Sequence, residues 1–346
     1  MAITEEAPRA GQVIEGNPII NDAFSEPTRY WHFSGLVPEV KEGRRTAGYL
    51  APSPDGQLRI TDELIPLDAV NDLRNRVREW RREGYPGATS ITRELFRHWF
   101  DESRKVTHTR PFFCQQEAIE TVVFLVEASA NLKVGIDIPH SGEPYTRWAV
   151  KMATGTGKTL VMAMLAAWSG LNKVAHRQDT RFADQVLVMC PNLTVRDRLA
   201  GEDGLDPRHP RSVYVSFDLV PPQYSGLLGQ VKVQVMNWHG LAPKEDAKRS
   251  VLNRGPESDA AFCRRILTDL SPRGRVLVLN DEAHHAYRFP ADLKVGRNDA
   301  DDLREATVWI DGPERIHRHR EVLRAIDCSA TPMFPSLFKD KAWTPF

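Results

Sequence analysis

The chain has little cysteine, no surplus of either charge and no long apolar run. Four cysteines stand in 346 residues, at Cys114, Cys190, Cys263 and Cys328. None is spaced as C-x-x-C, so no zinc cluster or redox motif is suggested, and buried free thiols in a reducing compartment are expected. Lysine plus arginine number 46, as do aspartate plus glutamate. A formal net charge of zero rules out arguing for a basic surface from totals, so any nucleic-acid contact has to come from a local groove. The longest run that leans apolar, Leu160 to Trp168, is far too short to span a bilayer. The N-terminal stretch MAITEEAPRAGQVIEG lacks the apolar core of a secretory signal. A soluble, cytoplasmic protein with no membrane partner is expected. The H-E-x-x-H order is also missing, although His284 and His285 follow two carboxylates, and this rejects a metalloprotease.

What is present supports a packed core. Hydrophobic residues make up 41% and charged residues 27% of the chain. The length suits two units, or one large α/β domain with an appendage. Residues 1 to about 60 are punctuated by proline and glycine and read as irregular. Tyr30, Trp31 and Phe33 form an aromatic cluster there, expected to pack the segment onto a larger body. Leu67, Val70, Leu73, Val77 and Trp80 then recur at helical spacing, and Gly84, Pro86 and Gly87 end the helix. The interleaved Arg74, Arg76, Arg78, Arg81 and Arg82 could face phosphates or form a solvated face. Ser90 reads as the N-cap of a second helix through Phe100. The polar stretch 101–109 reads as a connector, which divides the chain into an accessory region, 1–105, and a main domain, 106–346.

The main domain is organised around Met152-Ala153-Thr154-Gly155-Thr156-Gly157-Lys158-Thr159. An apolar run, 148–152, precedes it and a helix-like apolar run follows. Strand, glycine loop and helix are the context of a phosphate-binding loop. Glycines let several backbone N–H groups converge on one anion, and the helix adds the positive end of its dipole. In this reading Thr154, Gly155, Thr156 and Gly157 cradle the phosphates of a nucleotide. Lys158 reaches the β- and γ-phosphates, and the Thr159 hydroxyl takes a place on Mg²⁺. The strict pattern has glycine where Met152 stands.

Upstream, Phe112 and Phe113 precede Gln115 at the start of a helix. The Gln115 amide offers a donor and an acceptor that suit the edge of adenine, and a ring nearby can stack on its face. Downstream, 185–190 reads as a buried strand that ends in Pro191-Asn192-Leu193-Thr194. That end can hold a phosphate or simply cap a helix carrying Arg196 and Arg198. Residues 201–222, rich in proline, glycine and aspartate, read as a surface insertion. The alternating run 231–236 reads as a strand that ends at Asn237. The run 275–280 reads as a strand that ends in Asp281-Glu282-Ala283-His284-His285. Ligands of open α/β sheets sit at strand carboxyl ends, so Asp281 is placed to hold Mg²⁺, and Glu282 to orient or deprotonate the attacking water. A last strand, 322–328, ends in Ser329-Ala330-Thr331-Pro332.

Gln115, ATGTGKT at 153–159, CPNLT at 190–194, DEAHH at 281–285 and SATP at 329–332 follow one another in an order that resembles superfamily 2 helicases and translocases. Within it, the chain looks most like the Res (motor) subunit of type III restriction enzymes and related DEAD/DEAH-box proteins. The resemblance covers Arg110 to the C-terminus and implies a RecA-like P-loop NTPase lobe. Such a lobe is α/β, with a mostly parallel sheet flanked by helices, here preceded by the smaller, irregular and helical N-terminal region. It implies ATP and Mg²⁺ binding at Lys158, Thr159 and Asp281, hydrolysis at Glu282, and coupling to movement on DNA through His284, Ser329 and Thr331. Pro191, Asn192 and Thr194, with Asn237, are the candidate nucleic-acid contacts, and double-stranded DNA is the expected partner. Motors of this kind cleave ATP between two lobes. The residues up to Phe346 leave no room for a second lobe or a nuclease domain. A front half of a motor is therefore expected, partnered by a modification or specificity subunit or by a separate second-lobe polypeptide. The alternative is a module that binds ATP and docks DNA or a partner without turning over alone. A small-molecule kinase would explain the loop but not the three later motifs in that order.

Overall fold

Val186-Leu187-Val188-Met189 and Val276-Leu277-Val278-Leu279 are apolar on both faces, and a strand buried on both sides of a parallel sheet requires that pattern. The computed structural model describes residues 18–32, 38–50, 64–105, 109–138, 142–242, 257–283 and 300–330. Its N-terminal elements are β1 (Arg29–His32), β2 (Glu39–Glu42), β3 (Gly48–Leu50), β4 (Leu64–Pro66), α1 (Asp68–Arg82) and α2 (Ser90–Phe100). There follow α3 (Phe113–Glu127), β5 (Thr146–Lys151), α4 (Lys158–Ala175), β6 (Gln185–Cys190) and α5 (Leu193–Ala200). The rest comprises α6 (Val213–Ser216), α7 (Ser225–Leu228), β7 (Lys232–Asn237), α8 (Asp259–Ile266), β8 (Val276–Asp281), α9 (Ala300–Arg320) and β9 (Val322–Ser329).

Five strands form one sheet in the order β5-β9-β8-β6-β7, and every neighbouring pair is parallel. Strand alternation divides the core in two. Val186, Val188, Cys190, Leu277, Leu279, Ile326 and Cys328 face a cluster shared with α1 to α4. Leu187, Met189, Val276, Val278 and Ala325 face a second cluster built with Phe262, Ile266, Trp309 and Ile316 of α8 and α9. The first cluster buries α4 nearly all round, from Leu160 to Leu171. Gly170 lies inside that helix, where glycine costs about 1 kcal/mol relative to alanine. A Cβ there would stand 2.5 Å from Val231, so the glycine is what lets the helix approach the residue that leads into β7.

Several expectations change in detail. The irregular N-terminal stretch contains two antiparallel pairs, β1 with β2 and β3 with β4. They are short and held by backbone hydrogen bonds, not by an apolar pattern; β2 is exposed throughout. Trp31 donates from Nε1 to the Pro18 carbonyl and Tyr30 lies edge-on to His32, so these rings pack locally. Phe33 lies outside the described residues. The cap of α2 is Thr89, one residue before Ser90, because the Thr89 backbone is extended and its hydroxyl accepts from Thr92 N. Residues 201–222 are not a surface insertion throughout: Leu205, Val213, Tyr214, Leu219 and Val220 are buried. Trp99 of α2 donates to the Leu219 carbonyl at 2.6 Å. The arginines of α1 mostly meet carboxylates: Arg76 meets Asp72, Arg78 meets Glu26, Arg81 meets the fully buried Glu120, and Arg82 meets Glu79. α1 and α2 place Val77, Trp80, Leu95, Phe96 and Trp99 in the same cluster as α3 and α4.

Candidate active site

The parallel register brings the strand ends to one rim. Lys151 of β5 stands beside Ser329 of β9, Asp281 of β8 beside Cys328, and Cys190 of β6 beside Asn237 of β7. Met152 N donates to the Ser329 carbonyl at 2.9 Å, so the chain leaves β5 already tied to β9. It then turns through Gly155 (φ +80°) and Gly157 (φ +82°), a left-handed geometry that glycine adopts without strain. The Thr156 hydroxyl donates to the Ala153 carbonyl at 2.6 Å and braces the loop. Gly157 is the N-cap of α4, which begins at Lys158. The first N–H groups of that helix have no intrahelical acceptor and point out of its positive end. A Cβ on Gly155 would meet nothing within 4 Å, so space opens above the loop.

Two carboxylates face this cradle. Lys158, 9% exposed, places Nζ 2.9 Å from Glu282 Oε1. Glu282 has φ +54°, a conformation costing a residue with a Cβ roughly 1–3 kcal/mol. Asp281 is buried, and burial together with the adjacent Glu282 charge pushes its carboxyl above the ordinary range, against Lys158 and Arg198. Burial likewise pushes the neighbouring Cys328 thiol up, so it stays protonated and inert.

Gln115 meets the loop directly. Its Nε2 donates to the Thr156 carbonyl at 2.8 Å, and its Oε1 accepts from Phe112 N at 2.8 Å. Each end of the amide keeps one further donor or acceptor position. Asn192 caps α5, accepting from Val195 N at 2.9 Å. Thr194 and Asn192 are exposed and Pro191 is half-buried. Asn237 is buried and its amide contacts the His239 ring at 3.1 Å. Ser329 is buried at the rim. Thr154 and Gly155 are exposed, and Thr159 is half-buried in the first turn of α4. His284 and Thr331 lie outside the described residues.

Beneath the rim is a polar network that motif reading did not find. Arg147 of β5 donates from Nε to Asp327 of β9 at 2.8 Å and from a terminal nitrogen to Glu143 at 3.0 Å. Asn280, next to Asp281, donates to Asp327 at 2.6 Å and accepts from Trp309 Nε1 at 3.3 Å. Burial works against the Arg147 charge, but Asp327 and Glu143 hold it above its ordinary range. The signal in the sequence was slight: single polar residues, Asn280 and Asp327, interrupting two apolar strands.

The donors suit Mg²⁺. Thr159 and Asp281 offer hard oxygens, with no thiolate or imidazole among them. Among the described residues no group of three or more His, Cys, Asp or Glu could hold a metal ion.

A parallel sheet flanked by helices, with a glycine loop and an acidic strand end on one rim, defines a P-loop NTPase of RecA-like fold. A family model described as type III restriction enzyme, res subunit, matches residues 108–332, and the chain belongs to that family. It is thus an ATP-dependent, helicase-like motor module of the Res type, its described sheet forming a first lobe of the superfamily 2 kind. Searches of curated proteins and of solved structures returned no match. No described helix is long and apolar enough to cross a membrane.

Proposed function

We propose that this chain binds and hydrolyses ATP and couples the reaction to binding of, or movement on, duplex DNA. The observation that carries the reading is the meeting of Lys158 and Glu282 at 2.9 Å beside the buried Asp281. Thr154 to Gly157 and the first turn of α4 would receive the phosphates. Lys158 would leave Glu282 for the β- and γ-phosphate oxygens. Glu282, released, would take a proton from water as the water oxygen attacks the γ-phosphorus, and ADP would depart with the bond electrons. Mg²⁺, held by Thr159 and through Asp281, would supply charge neutralisation between the β- and γ-phosphates. Ser329, with His284 and Thr331, would couple the cycle to DNA. Pro191, Asn192, Thr194 and Asn237 would lie on the DNA side of the rim. In this reading residues 1–105 are an accessory region and 106–346 the ATP-binding domain.

The same ion pair supports a second reading. With Lys158 and Glu282 bound to each other, the base is occupied until nucleotide arrives. Hydrolysis then needs charge on the γ-phosphate to be met by an arginine. Arg198, whose charge bears on Asp281, belongs to the same lobe. A module that binds ATP, docks DNA or a modification or specificity subunit, and turns over only with a second-lobe polypeptide would behave this way. ATP turnover measured with and without duplex DNA tests the proposal. Stimulation by DNA is expected. Indifference to DNA, both alone and with a second-lobe polypeptide, would overturn it.

A further inference from the structure

We propose that Arg324 and Arg275, at the amino-terminal end of the sheet, form a second anion site that takes a phosphate group, on the side of the lobe opposite the phosphate loop. The proposal does not depend on the ATP reading of that loop.

Arg324 is the third residue of β9, and its side chain is nine-tenths buried. Its one described hydrogen bond runs from a terminal nitrogen to the Arg181 carbonyl at 2.9 Å. Its Nε is buried with no partner. Among the described residues no carboxylate acts on it; the neighbouring charge is that of Arg275, which together with burial opposes its proton. A guanidinium carries five N–H donors and stays charged at neutral pH, so its burial is not relieved by neutralisation. The Trp148 ring 5.7 Å away accounts for the packing but not for the charge. An anion would supply both missing things, acceptors for the spare donors and the opposite charge.

The surroundings favour such a guest. Arg275, which leads into β8, donates to the Thr180 carbonyl at 2.8 Å. Two guanidinium groups are therefore anchored on consecutive carbonyls, Thr180 and Arg181, in the loop that follows α4. Arg275 is one-third exposed, and its partner Glu321, 2.8 Å away, is half exposed, a contact that an anion can replace. Arg181 is matched by Asp179. Lys133, beyond the end of α3, feels the Arg181 charge and no described carboxylate. Thr146, exposed and beside Arg324 on β5, adds a hydroxyl. In a chain of zero net charge, Lys133, Arg181, Arg275 and Arg324 thus gather around two carboxylates, Asp179 and Glu321.

Arg324 and Ser329 lie at opposite ends of β9, roughly 16 Å apart at the rise of a strand, so a phosphate seated in the loop does not reach Arg324. Two guanidinium groups side by side offer more N–H donors than one carboxylate accepts, whereas a phosphate presents several oxygens in a tetrahedron. Free phosphate and a DNA backbone offer the same chemistry, and the test separates them.

Binding of inorganic phosphate is measured by calorimetry on the whole chain carrying Lys158→Ala, which removes the lysine of the loop. Adding Arg324→Met or Arg275→Gln is expected to weaken it tenfold or more, the size of a lost charge-assisted hydrogen bond. Glu321→Gln should strengthen it several-fold by releasing Arg275, a gain that a packing role would not produce. Arg208→Gln, at an exposed arginine paired with Asp206, should change nothing, and thermal melting checks that all variants fold. In the second arm, short duplex DNA is titrated at several salt concentrations into the parent chain and Arg324→Met. Weakening of free phosphate alone supports a small-anion site. Weakening of DNA with a salt slope lower by about one supports a backbone contact. If Arg324→Met binds both ligands as its parent does, or if Glu321→Gln weakens phosphate binding, the site is overturned.

Discussion

Glu282 and Arg324 both sit where placement carries a cost, one in backbone strain and one in a buried charge. Glu282 sits at φ +54°, held by Lys158, where the proposed reaction would need a proton acceptor. Backbone strain at such a site is tolerable only when the surroundings fix it, and β8 and the Lys158 ion pair both do so. Arg324 is different. It is 9% exposed, its one described hydrogen bond goes to the Arg181 carbonyl, and its Nε has no partner. Burial, with Arg275 adding to it, pulls the guanidinium down to about 10. It lies 5.7 Å from the Trp148 ring, and a methionine could keep that packing without the charge. Arg324→Met is therefore expected to stabilise the fold by about 1–3 kcal/mol, the relief found when buried charges give way to apolar groups. Urea midpoints of the two proteins check this, and a less stable variant would contradict it. The loop, Asp281 and Glu282 were legible in the sequence because their chemistry is local, carried by a few consecutive residues. The Arg147–Asp327 pair was not, because its members stand 180 positions apart and meet only once β5 lies beside β9.

At the scale of elements, packing and polar contacts share the work of holding helices to the sheet. Glu127 of α3 is buried and accepts from Thr89 N, from the Thr92 hydroxyl of α2 and from Trp168 Nε1 of α4, at 2.6 to 2.7 Å. Three donors on one carboxylate lock α2, α3 and α4 together, and all three helices were read in the sequence, α2 from its capping residue, α3 from its apolar spacing and α4 from the apolar run behind the phosphate loop. On the other face α9 was not read. It contains Pro313 and a charged last turn, and its apolar stripe is interrupted. Its attachment is partly ionic: Asp259, the first residue of α8, accepts from Arg315 at 2.9 Å and Arg318 at 2.7 Å. Those hydrogen bonds, from Arg318 first, hold the Asp259 carboxyl down at about 2, below its ordinary 3.8. A carboxyl lowered on folding contributes stability above its unfolded value and loses it as pH falls through the folded one. Asp259→Asn should therefore be less stable than the parent chain at neutral pH. That difference should shrink as pH falls from about 4 toward 2. A difference independent of pH across that window, read from urea midpoints, would contradict the ionic account. The strands β1 to β4 escaped the sequence reading because, at three or four residues each, they are too short to leave a periodic trace.

For the whole molecule, one parallel sheet has its chemistry at the carboxyl rim and its N-terminal segment tied to the helix that meets the phosphate loop. The order of motifs along the chain, in its described residues Gln115, 153–159, 190–194, 281–283 and 329–330, becomes one rim because consecutive crossovers return each strand in parallel. Family membership over 108–332 agrees with that arrangement. The packing of α1 and α2 into the first core cluster was not legible, since no motif marks a helix as sharing a core with a domain that follows it. In the proposed reaction Lys158 holds the nucleotide and Glu282 takes the proton from water. The most direct measurement is Mg²⁺-ATP affinity and single-turnover hydrolysis by residues 1–346 and by Glu282→Gln, each with duplex DNA. The substitution keeps the shape and removes the base. Unchanged affinity with turnover lowered about a hundredfold or more is the predicted result. Turnover by Glu282→Gln equal to that of the parent chain would contradict it.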